Sequence, residues 1–341
     1  MRSPWLFSRR LDLLAFGGSA LLALALCVVG ARLGVLHSGT PEWTWVPAVL
    51  LVDVAHVYAT GFRVYFDKTE LARRPWLYTL VPLCAFAAAV FLFSRGELVF
   101  WRVLAYLAVF HFVRQQAGWV ALYRARLEER DAITRYVDNA AIYGATLYPL
   151  VYWHAHLPRA FNWFLRDDFI ALPSSLGLIA RPLWAAALVA YLASMLVRAR
   201  RSLSNPGKDV VVLSTAACWY VGIVPLDSDF AFTVTNVLTH GLPYLALIYW
   251  YVNKRGERGG MFGVFAQRPA RYLALLWVFA YAEELLWDRS VWHERAWLFG
   301  SAWDLSKLRT LVVPLLALPQ IVHYVLDGYV WRSKDNPDLG F

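Results

Sequence analysis

Four histidines, His56, His111, His240 and His323, fall inside apolar stretches, each with polar companions three or four positions away. The stretch LLVDVAHVYATGFRVYF places Asp53, His56, Thr60 and Arg63 on one helical face. AYLAVFHFVRQQAGWVALY does the same for His111, Arg114, Gln115 and Gly118, FAFTVTNVLTHGLPYLALIYW for Thr233, Asn236 and His240, and LPQIVHYVLDGYVW for Gln320, His323 and Asp327. The chemistry these residue types suit is metal binding, because neutral imidazole is the commonest protein ligand and adds no buried charge. Asp53 and Asp327 each lie one helical turn from a histidine, where a carboxylate either completes the coordination or orients the ring through its other nitrogen. In AYAEELLW, Glu283 or its neighbour Glu284 offers a further carboxylate, and Glu283 with Asp53 would bridge a second ion. Arg63 and Arg114 suit capture of an acidic substrate head near the inner mouth, and Gln115 and Asn236 are further catalytic candidates. Each has a plainer reading: arginines snorkel to headgroups, amides join helices, and a single histidine in a bundle bonds a neighbouring helix.

The elements that must position these groups are membrane helices. Of the 341 residues 59% are apolar and 17% charged, with a mean hydropathy of +0.45. Soluble chains are less apolar and about 25% charged. The expectation is an all-α, polytopic integral membrane helical bundle, a single domain over 1–341 with about ten transmembrane helices. The expected spans are 13–36, 43–66, 76–94, 98–124, 136–154, 173–198, 209–226, 230–252, 270–287 and 308–331. Basic residues concentrate in alternate connections: Arg2, Arg9 and Arg10; Lys68, Arg73 and Arg74; Arg124, Arg126, Arg130 and Arg135; Arg198, Arg200, Arg201 and Lys208; Lys254, Arg255, Arg258, Arg268 and Arg271; Arg332 and Lys334. By the positive-inside rule both termini are cytoplasmic in a plasma (inner) membrane, and the second, fourth, eighth and tenth spans run inward together. Counting from their inner ends at about 1.5 Å per residue sets the four imidazoles about 12 to 20 Å deep, in one layer. The other histidines, His37, His154, His156 and His293, fall at the outer ends. Trp43, Trp45, Trp76, Tyr152, Trp153, Trp250, Tyr251 and Trp331 sit at span ends and read as interfacial belts. The connections 155–172 and 288–307 read as outer segments lying on the membrane.

Several classes are excluded. The formal charge of +9 is dispersed between apolar spans, which argues against nucleic acid as a partner. Cys27, Cys84 and Cys218 are too few for a disulfide scaffold and read as small buried hydrophobes. Neither a dinucleotide nor a Walker loop occurs, nor a C-x-x-C pair. His293-Glu294 begins like a zinc-protease motif, but Trp297 stands where its second histidine belongs, and no G-x-S-x-G elbow is present. The paired histidine boxes of membrane desaturases are missing. In layout the chain is similar to histidine-bearing, multi-spanning membrane metalloenzymes such as the carotenoid-cleaving membrane oxygenases; no motif is matched and no residue assignment follows.

Four readings remain open. The first is a non-haem iron oxidoreductase that uses O2 on a lipid-like or membrane-soluble substrate, with one or two ions and an external electron donor. The second is an intramembrane zinc hydrolase with Asp53 or Asp327 as base. A haem protein is third, disfavoured because the histidines occupy one layer. A proton-coupled transporter built on Asp53, His56 and Asp327 is fourth; it lacks recognisable inverted halves but has prolines, Pro243 and Pro319, to kink its helices.

Overall fold

Local signals start and stop the apolar runs. Asp131 accepts a hydrogen bond from Thr134 N at 2.7 Å and Asn205 accepts one from Lys208 N at 3.4 Å, each closing a helix N-terminus that lacks internal partners. Pro75, Pro206 and Pro269 open helices where a missing N–H is harmless. Gly96, at φ 142°, ends one helix and allows the next to begin immediately.

In a computed structural model, which describes residues 3–37, 41–257, 259–332 and 336, these signals yield an all-helical chain, 79% helix with no strands among the described residues. The long helices are α1 (Arg9–Arg32), α2 (Glu42–Arg63), α3 (Pro75–Arg95), α4 (Glu97–Arg126), α5 (Ala132–Ala155), α6 (Ser174–Arg200), α7 (Pro206–Ile223), α8 (Asp229–Gly256), α9 (Pro269–Trp287) and α10 (Ser306–Val330). Each expected span coincides with one of them. Six, α1, α2, α3, α6, α8 and α10, are long and apolar enough to cross a membrane, which points to a membrane location. The other four fall short of that combination of length and hydropathy; α4, for example, carries Glu97, Arg102, Arg114, Gln115 and Gln116 along its length. Apolar side chains cover the outward faces of α3 (Leu80, Leu83, Phe91) and α6 (Leu178, Ile179, Leu183, Val189), a surface suited to lipid. Arg2, Arg258 and Lys334, counted among the basic connections, lie outside the described residues.

The chain divides into two compact units, with boundaries inside α4, after Leu107, and inside α8, after Pro243. The first unit contains α1, α5, α6, α7, most of α4 and the start of α8. Within it, Phe16 packs edge-on against Trp119 and Tyr123, and Tyr123 donates to Asp12 at 2.7 Å. Lys208, fully buried, pairs with Asp138 at 2.8 Å and with Glu129, while Arg198 pairs with Asp209 at 2.7 Å. Such buried charges persist only because they are paired. In the second unit, Val64, Tyr78, Val322, Leu326 and Val330 form an apolar core. Beside it the buried Arg63 binds Glu70 at 3.1 Å and the Val330 carbonyl at 3.0 Å. That contact satisfies a carbonyl that the end of α10 leaves without an internal donor.

Two expectations need correction. Cys84 is exposed, whereas Cys27 and Cys218 are buried as expected. Trp43 and Trp76 are exposed, as interfacial residues should be, but Trp153 and Tyr251 are only 2% and 1% exposed. Their rings serve internal packing: Trp153 lies against Phe169, and Tyr251 bonds Asp67 and lies beneath the Arg63 guanidinium.

Candidate metal centre

In the second unit α2 and α10 present His56 and His323, both 1% exposed, with ring centroids 4.9 Å apart. A π-helical segment, Val46–Val54, precedes His56; such wider turns recur at functional sites because they shift the face of the residues that follow. His56 Nδ1 lies 3.6 Å from Asp53 Oδ1, an ion-pair separation longer than a hydrogen bond. His323 Nδ1 is 2.7 Å from Thr60 Oγ1, which is 3.0 Å from Tyr244 Oη. Tyr244 donates to Asp327 Oδ1 at 2.6 Å, and Trp331 Nε1 donates to the same oxygen at 3.0 Å. Glu283, buried on α9, accepts from Trp287 Nε1 at 3.1 Å.

In the first unit α4 and α8 present His111 and His240, 4% and 0% exposed, with centroids 5.1 Å apart. Phe112 stacks on His240 at 3.6 Å with planes 16° apart. A second π-helical segment, Thr233–Val237, precedes His240 and carries Asn236. It can lie close to α7 because residue 222 is glycine: a Cβ there would fall 1.8 Å from Thr235 Oγ1. Asn236 Nδ2 donates to Phe232 O and Thr235 Oγ1, both at 3.1 Å, while its Oδ1 is buried with no hydrogen-bond partner among the described residues. Both amide atoms of Gln115, one turn past His111, are in the same condition. Arg114 is exposed and bonds the Tyr143 hydroxyl.

His56, His111, His240 and His323 form one buried group in which each residue offers a ring nitrogen, all within 4.8 Å of one another; such a group can hold a metal ion. The carboxylates expected to join it, Asp53, Asp327 and Glu283, are not members. Arg63 is engaged by Glu70 and Val330. Of the outer histidines, His37, His156 and His293 are exposed, and His154 is buried against the Leu150 carbonyl of its own helix. Sequence reasoning missed Tyr244 and Trp331 as partners of the site. The available signal was spacing: Tyr244 follows His240, and Trp331 follows Asp327, by four residues.

Comparison with protein-family models, with curated proteins and with solved structures finds no match.

Proposed function

We propose that the protein is an integral membrane metalloenzyme of about ten membrane helices, in which His56, His111, His240 and His323 hold one ion. We further propose that it is an iron-dependent, O2-using oxidoreductase acting on a lipid-like or membrane-soluble substrate. The observation that carries this reading is the buried four-histidine group. Buried ionisable or polar groups at membrane depth are costly, and four imidazoles brought together without a thiolate suit a borderline transition metal. Zinc favours four ligands, and its catalytic sites keep one position open, so four histidines would close a zinc site. An ion that prefers six positions would keep two open, which favours iron over the zinc hydrolase.

Iron bound there would supply O2 activation; the surrounding residues would supply orientation, dryness and proton handling. The burial of all four rings keeps water from the ion. Asn236 Oδ1 and the Gln115 amide, buried without partners one turn from a ligand, would receive a polar group of the substrate or a bound water. Asp53, 3.6 Å from His56, would hold a proton near that ring. Glu283 with Asp53 is the pair for a second ion, Arg114 would meet an acidic substrate head, and an external donor would return electrons. Arg63 fits an anchoring role better, since it ties the end of α2 to α10. The topology that follows from charge is an inner-membrane protein with both termini cytoplasmic.

Metal analysis of detergent-purified protein tests this. One iron per chain is expected, and two would support the second site. Stoichiometric zinc would favour the hydrolase, a Soret band would favour haem, and a chain that binds no transition metal would overturn the reading.

A further inference from the structure

We propose that Trp331, Asp327, Tyr244 and Thr60 form a one-way hydrogen-bond relay that fixes His323 as its Nδ1–H tautomer and so presents the Nε2 lone pair to a metal ion. The inference rests on the four-histidine reading and adds to it four residues that do not touch the ion.

The direction follows from counting protons. An indole N–H can only donate. Trp331 Nε1 donates to Asp327 Oδ1 at 3.0 Å, so this oxygen is an acceptor, and Tyr244, 2.6 Å from the same atom, gives it the single phenolic proton. At 3.0 Å from Tyr244 Oη, Thr60 must then be the donor, which uses its only proton. Thr60 Oγ1 can therefore only accept from His323 Nδ1 at 2.7 Å. A neutral imidazole protonated at Nδ1 carries its lone pair on Nε2. Each link is a consequence of the one before it, and none depends on a change in the charge of any group.

The geometry keeps the relay in register. His323 and Asp327 on α10 and Trp331 just past its end follow one another at four-residue intervals, while Thr60 lies one turn past His56 on α2. Thr60 and Tyr244 are 4% and 1% exposed, so little water competes for the hydroxyls. Arg63, between the Val330 carbonyl and the Trp331 ring, holds the end of α10 beside α2. Reversing the chain would need a proton on the oxygen that accepts from Trp331, a poor acceptor when protonated.

Nitrogen-15 NMR of metal-free, histidine-labelled protein in detergent, with His323 assigned by signal loss in His323→Asn, reads the tautomer directly. The expected result is a protonated Nδ1 and an unprotonated Nε2; the opposite pattern overturns the relay. In Tyr244→Phe, Thr60 loses its acceptor and turns its proton toward His323. The ring is expected to become the Nε2–H form, with cobalt(II) affinity falling about 10–100-fold, as for other outer partners of metal-binding histidines. Thr60→Ser keeps the hydroxyl and should keep both properties. If Tyr244→Phe does not fold, Asp327→Leu removes the acceptor of Tyr244, which then donates to Thr60 and Thr60 to His323, so that the Nε2–H form is again expected; an unchanged tautomer in whichever variant folds refutes the relay. A network serving only to hold helices together would not move the tautomer. Nδ1–H at His323 with no cobalt(II) binding refutes the metal reading and leaves the relay standing. Stoichiometric cobalt(II) binding with Nε2–H in the metal-free protein does the reverse.

Discussion

His240 lies against Phe112 with ring planes 16° apart, whereas His323 is held at Nδ1 by a hydroxyl 2.7 Å away. The two restraints do different things. Stacking fixes the plane of an imidazole but leaves a half-turn about Cβ–Cγ open, so either edge can face the other histidines. A hydrogen bond at one nitrogen fixes the edge and the tautomer as well. The neighbourhoods differ in side-chain type too: the first-unit pair is accompanied by the amides of Gln115 and Asn236, the second-unit pair by the carboxyl groups of Asp53 and Asp327. One region is adaptable; the other is directional.

The comparison breaks most simply at the histidines themselves. His240→Ala and His56→Ala should each lower cobalt(II) affinity by more than the roughly 10–100-fold expected of an outer partner. Equal and full occupancy in both variants, read from the visible cobalt spectrum, would remove these rings from the site. Next in size, Thr60→Val should cost about tenfold or more in affinity at His323. No such effect at a fully folded site would mean that the directional restraint does no more than the stacked one. Gly222→Ala tests the other region: its Cβ would meet Thr235 Oγ1 at 1.8 Å, and overpacking of that kind costs about 1–3 kcal/mol, visible as a lower unfolding temperature in detergent. The smallest effect is expected from Phe112→Leu. Loss of one aromatic pair is worth about 0.5–1.5 kcal/mol, and affinity should fall only a few-fold, with His240 then sampling both edges by NMR.

The four clustered histidines and their helices were legible because apolar length and the 3.6-residue period are local properties of the chain. His56 and Thr60 share a face at any packing. What the period cannot reveal is which neighbouring helix that face meets. The hydrogen bond between His323 and Thr60 joins residues 263 positions apart, and only packing brings them together. For the same reason the period sets Asp327 one turn from His323 but does not reveal that its hydrogen-bond partners are Tyr244 and Trp331. Trp331 was assigned to the bilayer boundary because tryptophan at a span end usually belongs there. A carboxylate one turn earlier gave its indole N–H an internal acceptor. The π-helical turns before His56 and His240 left no mark in composition at all.

Arg63 gives the far end of α10 practical weight. Its guanidinium holds the Val330 carbonyl and lies 5.4 Å from the Trp331 ring, and Trp331 in turn touches the aspartate that ends the hydroxyl series. A fluorophore, affinity tag or cut introduced immediately after that tryptophan would thus be felt at a histidine more than a full helical turn away. Anyone labelling this protein should leave a spacer there before interpreting a metal titration.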